Sequence, residues 1–214
     1  IKRIHLLVGG SMGGYQALEW CVMNAPIIDH LFLITTSARE TAWGIAIHTA
    51  QRMAIEADNT WKEATPDSGS GGLKIARAIG MVTYRSYESF VKTQTDEDQN
   101  KVDDFKASSY INYQGAKLVN RFNAYSYWVL TKAMDTHNLA RGRSNIATVL
   151  KTITAKTLII GINSDLLCPV EEQKFLAEQI PDAKFVTINS IYGHDGFLVE
   201  TEQITQHISA WLHY

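Results

Sequence analysis

The pentapeptide GGSMG at residues 9–13 places a serine between glycines and fits the pattern G-x-S-x-G. An apolar run that predicts a strand precedes it and a helical pattern follows, which is the context of a nucleophilic serine on a sharp turn. The Ser11 hydroxyl would be exposed there, and the Met12 N–H and the helix N-terminus could stabilise an oxyanion. We expect the first and last glycines of the motif to be steric requirements of the turn. A Gly-rich phosphate loop and a plain tight turn are the alternatives.

A serine needs a base that a carboxylate orients, and two residues late in the chain could supply both. Asp165 follows the apolar run TLIIGI and His194 follows the run KFVTIN, so each lies at the carboxyl end of a predicted strand. Parallel α/β sheets place their sites at that end, and Ser–Asp–His is a known chain order for such residues. We therefore predict a catalytic triad of Ser11, Asp165 and His194. Taken singly, Asp165 could be a helix cap or an Asx-turn, and His194 an ordinary loop histidine.

Strands that alternate with helices at both ends of the chain predict an α/β fold with one parallel sheet. The predicted strands are residues 4–8, 30–36, 157–162 and 184–189, and the helices that accompany them are 12–24, 169–179 and 199–213. The middle of the chain carries only helical patterns, at about 40–57, 73–92 and 115–137, separated by polar segments at 65–72 and 95–104.

These patterns divide the chain into three parts. Residues 1–37 hold the nucleophile, 38–150 form a helical insertion that would cap the carboxyl edge of the sheet, and 151–214 carry the acid and the base. The chain opens with Ile1 inside an apolar run, so we expect it to be the later part of a longer protein. The strand at 4–8 would then have an unpaired edge, which favours association or aggregation.

Composition excludes several classes of function. The 214 residues are 45% apolar, which is enough for one domain with a large insertion. A net charge of −2 leaves no basic excess for general nucleic-acid binding. No apolar run reaches the ~18 residues of a membrane span. Two cysteines, Cys21 and Cys168, are too few for a disulfide framework, and this is typical of a protein of the cytoplasm. The sequence also has no ligand spacing typical of a metal site.

Five stretches together resemble homoserine O-acetyltransferase, a family of the α/β-hydrolase superfamily. They are GGSMGGYQALEW, ARAIGMVTYRSYESF, SSYINYQGAKLVNRFNAYSYWVLTKAMD, INSDLLCPVEEQ and YGHDGFL. The resemblance runs from residue 1 to the C-terminus and includes the helical insertion, which in this family forms a lid and a dimer surface. It implies a partial α/β-hydrolase fold, because the N-terminal strands and the loop that gives a second oxyanion N–H lie outside this sequence.

The resemblance also implies roles for single residues. Ser11 would be the acyl-accepting nucleophile, and Arg77 would bind the carboxylate of the amino-acid substrate. Tyr84 would line the entrance of the site, and Asp195 would hold the substrate ammonium. A guanidinium grips a carboxylate with two hydrogen bonds, so the charges match such a substrate. Alternatively, Arg77 could form a surface ion pair and Asp195 could cap a turn.

The implied reaction moves an acetyl group from acetyl-CoA to L-homoserine through a serine acyl-enzyme, in methionine biosynthesis. The reaction needs only these small-molecule substrates and no bound cofactor. The resemblance also implies a homodimer that forms through the lid, and a location in the cytoplasm. The alternatives are a serine esterase with water as acceptor, a family member that uses succinyl-CoA, serine or another alcohol, and a non-catalytic module. Cys168 stands where an aromatic residue is common, and we expect its side chain to pack rather than to react.

Overall fold

The computed structural model describes residues 1–63 and 65–212, which form two compact units. Unit 1 comprises Ile1–Glu40 and His137–Tyr214, and unit 2 comprises Thr41–Thr136. The strands, all in unit 1, are β1 (Ile4–Gly10), β2 (Ile28–Ile34), β3 (Lys156–Ile162) and β4 (Ala183–Ile188). The helices of unit 1 are α1 (Met12–Asn24), α7 (Ile146–Leu150), α8 (Val170–Gln179), α9 (Gly196–Val199) and α10 (Thr201–Leu212). The helices of unit 2 are α2 (Ala42–Glu56), α3 (Ser70–Tyr84), α4 (Tyr87–Gln94), α5 (Lys106–Val119) and α6 (Ala124–Asp135).

The four strands form one parallel sheet in the order β1-β2-β3-β4. Its interior strands read as continuous apolar runs because both faces are covered, and alternate residues point to opposite sides. Leu31 and Ile159 belong to the cluster that packs on α1 and α8, whereas Phe32 and Ile160 belong to the cluster that includes Trp211 of α10. The predicted α/β fold with a parallel sheet is therefore confirmed.

All strands run in the same direction, so their carboxyl ends lie at one edge of the sheet. β1 ends at Gly10, directly before Ser11, and β3 ends at Ile162, three residues before Asp165. β4 ends at Ile188, six residues before His194. The sheet therefore brings together three residues that are far apart in the sequence.

Unit 2 is built from helices around its own apolar cluster, which contains Ile55, Leu73 and Leu118. A second, polar cluster lies between α2 and α6, where Asp135 accepts from His48 at 2.9 Å and pairs with Arg52 at 2.6 Å. The unit is shorter than the predicted insertion at 38–150, because residues 38–40 and 137–150 belong to unit 1. Leu139, Val149 and Leu150 are buried in the core of the sheet unit.

Three helix predictions need correction. The pattern at 73–92 is two helices, α3 and α4, because Ser86 starts a new helix by accepting a hydrogen bond from Ser89 N. The pattern at 115–137 is also two helices, since α5 begins at Lys106 and α6 begins after the cap residue Asn123. The closing helix predicted at 199–213 is α10, which begins at Thr201, because residue 199 is the last residue of the short helix α9. Residue 213 of the prediction lies outside the described residues.

β1 is an edge strand among the described residues, since its hydrogen-bonded partner is β2 alone. Gly9 is the one buried residue of the strand, the others are half-buried or exposed, and Val8 is 57% exposed. This agrees with the expected unpaired edge. None of the helices that the structure describes combines the length and the apolar character needed to cross a bilayer.

Candidate active site

Ser11 lies on the turn between β1 and α1 in a left-handed backbone conformation, with φ of 50°. L-residues other than glycine rarely adopt this conformation, and it persists where neighbouring contacts fix it. The Ser11 N–H donates to the Ile34 carbonyl at 3.0 Å, and the Ser11 carbonyl accepts from Gly14 N at 2.9 Å. The Thr36 hydroxyl also donates to that carbonyl at 2.9 Å. The turn is therefore held by the end of β2 and by the first turn of α1.

Two glycines make the turn possible, but they are not the predicted pair. A Cβ at Gly9 would lie 2.6 Å from the Gly13 carbonyl oxygen and 2.8 Å from Ala17 Cβ. A Cβ at Gly14 would lie 2.5 Å from Thr36 Cβ. A Cβ at Gly13 would meet nothing within 4 Å, so the expected steric requirement is right for Gly9 and wrong for Gly13.

The Asp165 carboxylate accepts three hydrogen bonds that fix its orientation. Its Oδ1 accepts from Leu167 N at 2.8 Å and from Cys168 N at 2.9 Å. Its Oδ2 lies 2.7 Å from His194 Nδ1. The Asx-turn that the sequence left as an alternative is thus present together with the predicted contact to histidine.

His194 joins the carboxylate to the serine. Its Nε2 lies 2.9 Å from Ser11 Oγ, and the residue is only 5% exposed. The contact with Asp165 fixes the tautomer, so Nδ1 carries the proton and Nε2 can accept the hydroxyl proton of Ser11. The predicted hydrogen bonds among Ser11, His194 and Asp165 are all present, and this geometry is that of a nucleophile with its general base and an orienting acid.

The loop that carries His194 is tied to the loop that carries Asp165 by polar contacts that the sequence analysis did not predict. The Ser164 hydroxyl donates to the Ser190 carbonyl at 2.5 Å and accepts from Gly193 N at 3.0 Å. Asn163 Oδ1 accepts from Ser190 N at 3.0 Å. The run Asn163-Ser164 before Asp165 could have indicated these contacts in the sequence, because short polar side chains at strand ends commonly bind backbone groups.

Cys168 lies beside the triad without the properties of a reactive thiol. Burial and the nearby charge of Asp165 raise the pKa of the thiol, so it stays protonated. Tyr15 is buried near it, and its hydroxyl donates to Glu40 at 3.0 Å. Burial raises the pKa of the Tyr15 phenol as well. Both side chains are therefore neutral.

The arrangement of these residues can be compared with known proteins. The family described as the alpha/beta hydrolase fold matches residues 1–201. The chain belongs to this family. Homoserine O-acetyltransferase of Cyclobacterium marinum is 44% identical to the chain over 204 residues, which make up 95% of the chain and 58% of that protein. The resemblance seen in the sequence is thus confirmed.

Solved structures agree with this assignment of the fold. The crystal structure of homoserine O-acetyltransferase from Staphylococcus aureus has 27% identity and a TM-score of 0.80, and the match covers 100% of this chain and 60% of that one. The crystal structure of esterase E22 has a TM-score of 0.88 at 18% identity and shares the fold, with 99% of this chain and 62% of that chain covered. The chain thus spans about three fifths of the length of each of these three proteins.

The remaining predicted site residues of this alpha/beta hydrolase lie in three places. Met12 is the first residue of α1, directly after the serine. Arg77 and Tyr84 both lie on α3 of unit 2, where the Arg77 guanidinium carbon is 5.2 Å from the centre of the Tyr84 ring. Asp195 follows His194 and is half-buried. Their contacts with substrate stay predictions.

Within the part of the chain that the structure describes, two groups of side chains place possible metal-ligand atoms within 4.8 Å of one another. One group is Cys168 with Asp165 and His194, and the Asp165 carboxylate and the His194 ring already bind each other. The other is His5, Asp29 and His30, where Asp29 binds Arg3 and His30 Nδ1 lies 2.9 Å from the His5 carbonyl. The sequence spacing did not indicate either group, and we assign a metal to neither.

Proposed function

We propose that the protein is a homoserine O-acetyltransferase that uses Ser11, His194 and Asp165 as its catalytic triad. The observation that carries this proposal is the hydrogen-bonded line from Ser11 Oγ through His194 to Asp165, with contacts of 2.9 and 2.7 Å. The similarity to homoserine O-acetyltransferases over nearly the whole chain supports the choice of substrates. The substrates are acetyl-CoA and L-homoserine, and the product serves methionine biosynthesis.

The first half-reaction loads the enzyme with an acetyl group. His194 Nε2 takes the proton of the Ser11 hydroxyl while Ser11 Oγ attacks the thioester carbonyl of acetyl-CoA. Asp165 stabilises the imidazolium that forms, and the Met12 N–H donates to the oxyanion. The proton then passes from His194 to the thiolate of the leaving CoA, and the acetyl group remains on Ser11.

The second half-reaction transfers the acetyl group to the amino acid. The hydroxyl of L-homoserine gives its proton to His194 and attacks the acyl carbon, after which Ser11 regains a proton. Arg77 binds the substrate carboxylate and Asp195 its ammonium, and Tyr84 lines the entrance for the substrates. All steps use side chains of the chain and need no bound cofactor. Such an enzyme works in the cytoplasm, where acetyl-CoA is available, and we propose a homodimer through the helical unit.

Labelling of the nucleophile tests the triad directly. A fluorophosphonate probe should add once to the 214-residue chain, at Ser11, as read by intact mass and peptide mapping. Ser11→Ala should remove the label, and Ser109→Ala, a substitution at an exposed serine of unit 2, should leave it unchanged. In an active preparation, Ser11→Ala should lower turnover on the order of 10⁶-fold, as for other serine triads. A wild-type chain that stays unlabelled would contradict the proposal.

The acceptor is tested separately, because a serine esterase would use the same triad with water in place of L-homoserine. Release of CoA from acetyl-CoA should depend on added L-homoserine and yield O-acetylhomoserine. Release at the same rate with and without L-homoserine would identify a hydrolase. A parallel assay with succinyl-CoA distinguishes the acyl donors.

A further inference from the structure

Gln173 is a fully buried glutamine of α8 whose amide binds the backbone at the end of another strand. Its Nε2 donates to the Thr36 carbonyl at 2.7 Å, across 137 positions of the sequence. Its Oε1 is buried and has no hydrogen-bond partner among the described residues. A buried polar atom without a partner is unfavourable, and an apolar side chain of the same length would avoid it. An amide at this core position therefore needs a reason beyond packing.

Thr36 connects this amide to the serine turn. It is fully buried two residues after the end of β2, and its hydroxyl donates to the Ser11 carbonyl at 2.9 Å. The residue before it, Thr35, has a φ of 47°, which is unusual for a β-branched side chain. The Thr35 N–H donates to the Ile160 carbonyl at 3.1 Å. Such strained backbone persists where neighbouring contacts fix it, so Thr36 is held in one place.

The helix that carries Gln173 is itself held close to the sheet and to the acid of the triad. α8 begins at Val170, two residues after Cys168, whose N–H donates to Asp165 Oδ1 at 2.9 Å. A Cβ at Gly161 of β3 would lie 2.9 Å from Val170 Cγ2 and 3.2 Å from Gln173 Oε1. The absence of a side chain at this position therefore lets α8 pack closely on β3 and fixes the origin of the Gln173 amide.

The Ser11 carbonyl at the other end of these contacts shares a peptide unit with the Met12 N–H. The peptide is trans and planar, so its C=O and N–H point in opposite directions. The carbonyl accepts from the Thr36 hydroxyl and from Gly14 N, both at 2.9 Å. Met12 is the first residue of α1, where an N–H has no partner within the helix. The contacts on the carbonyl therefore set the direction of an N–H that is available to an oxyanion.

We infer that Gln173 and Thr36 are positioning residues that direct the Met12 N–H toward the oxyanion formed when Ser11 is acylated. Gln173 holds the Thr36 carbonyl, the Thr36 hydroxyl holds the Ser11 carbonyl, and the rigid peptide carries this constraint to the Met12 N–H. The inference rests on the proposed function for the roles of Ser11 and Met12. Oxyanion donors act because they are oriented before the reaction, so a donor that turns away loses part of the rate enhancement.

Two measurements on the 214-residue chain test the inference. The first is the rate constant of fluorophosphonate labelling of Ser11, since attack on phosphorus also places negative charge on an oxygen. The second is the amide resonance of Met12 in proton–nitrogen NMR spectra, which does not require a reactive serine. Chemical denaturation of each variant shows how much stability is lost.

The variants remove one hydrogen bond at a time. Gln173→Met removes the amide at similar shape, Thr36→Val removes the hydroxyl at similar shape, and a combined variant removes both. Thr36→Ser keeps the hydroxyl. Thr157→Val is the matched control, because Thr157 is a fully buried threonine near the start of β3 whose hydroxyl donates to the Ala155 carbonyl at 2.8 Å.

Thr36→Val should lower the labelling rate constant about tenfold, which is part of the roughly 10²- to 10³-fold loss when a whole oxyanion donor is removed. Gln173→Met should lower it about three- to tenfold. The combined variant should be no slower than Thr36→Val, because Gln173 acts through Thr36 and the two effects are not independent. Thr36→Ser and Thr157→Val should label at the wild-type rate.

Stability and pH dependence distinguish positioning from packing. Gln173→Met should keep the denaturation midpoint near that of the wild type, because it removes the unsatisfied Oε1 together with the hydrogen bond. The midpoint of the pH profile of labelling, which reports the base His194, should not move in either single variant. Losses of labelling that only follow losses of stability would show a packing role and overturn the inference. Multiplied losses in the combined variant would also overturn it.

The outcome is separable from that of the proposed function. The Met12 amide resonance should shift in Gln173→Met and in Thr36→Val but not in Thr157→Val, and an unmoved resonance overturns the inference. A labelled wild type with unchanged rates in all variants also overturns it and leaves the triad standing. An unlabelled wild type in which both variants shift the Met12 amide contradicts the proposed catalysis and supports the positioning contacts.

Discussion

Gly14 and Gly13 are adjacent residues of α1 with opposite surroundings, although the G-x-S-x-G pattern draws attention to the second. A Cβ at Gly14 would be driven against Thr36, a fully buried residue that also holds the Ser11 carbonyl. A Cβ at Gly13 would extend into open space. The close packing of the serine turn against the end of β2 therefore depends on Gly14.

We predict that Gly14→Ala lowers the free energy of unfolding by at least ~1–3 kcal/mol, the usual cost of overpacking, and that it reduces fluorophosphonate labelling of Ser11. Gly13→Ala should keep both properties, and replacing a helical glycine can even add up to ~1 kcal/mol of stability. Chemical denaturation and labelling rates measure the two effects. Equal destabilisation by the two substitutions would show that the crowding at Thr36 does not control the turn.

Asn123 shows how an element boundary is set inside a helical pattern. Its side-chain Oδ1 accepts from Ser126 N at 2.8 Å and thereby starts α6 after a short break in the helix. Capping side chains satisfy one of the free N–H groups of a helix N-terminus and typically contribute about 1 kcal/mol. α6 carries the buried Ala124 and Thr131, so this boundary also sets which of its residues face the interior of unit 2.

We predict that Asn123→Ala lowers the free energy of unfolding of the helical unit by about 1 kcal/mol, whereas Asn123→Asp retains the cap and stays near the wild type. Urea denaturation followed by far-ultraviolet circular dichroism measures the difference. A loss of the same size in both variants would mean that the amide group matters for another reason than capping.

The triad was predictable because each of its residues follows a short apolar strand, and parallel strands gather their carboxyl ends at one edge. The helix breaks at Ser86 and Asn123 were not predictable with the same ease, since both residues lie within continuous amphipathic patterns. The steric role of Gly14 could not be found from the sequence at all, because the residue that crowds it, Thr36, lies beyond the next strand of the chain.

Both outer strands of the described sheet, β1 and β4, are paired on one side only, but the exposed residues of β4 are the polar Lys184 and Thr187. Among the described residues, β1 is paired on one side only, and the apolar Val8 side chain is 57% exposed on it. A flat, apolar, unpaired strand offers free N–H and C=O groups to another chain. The two interior strands, in contrast, are buried on both faces by the apolar clusters around α1, α8 and α10. Association of this chain is therefore expected to proceed through β1.

We predict that the 214-residue chain associates as its concentration rises and that Val8→Lys suppresses this association, because a charged side chain on an edge strand opposes strand addition. Met23→Lys is the matched control: Met23 is 62% exposed but lies on helix α1 and not on a strand, so its substitution should leave association unchanged. Sedimentation velocity across a concentration series measures the effect. Both variants should retain fluorophosphonate labelling of Ser11, since neither residue contacts the triad. A wild-type chain that stays monomeric throughout the series would show that β1 is protected by its twist or its polar flanks, and the unpaired edge would then have no consequence for assembly.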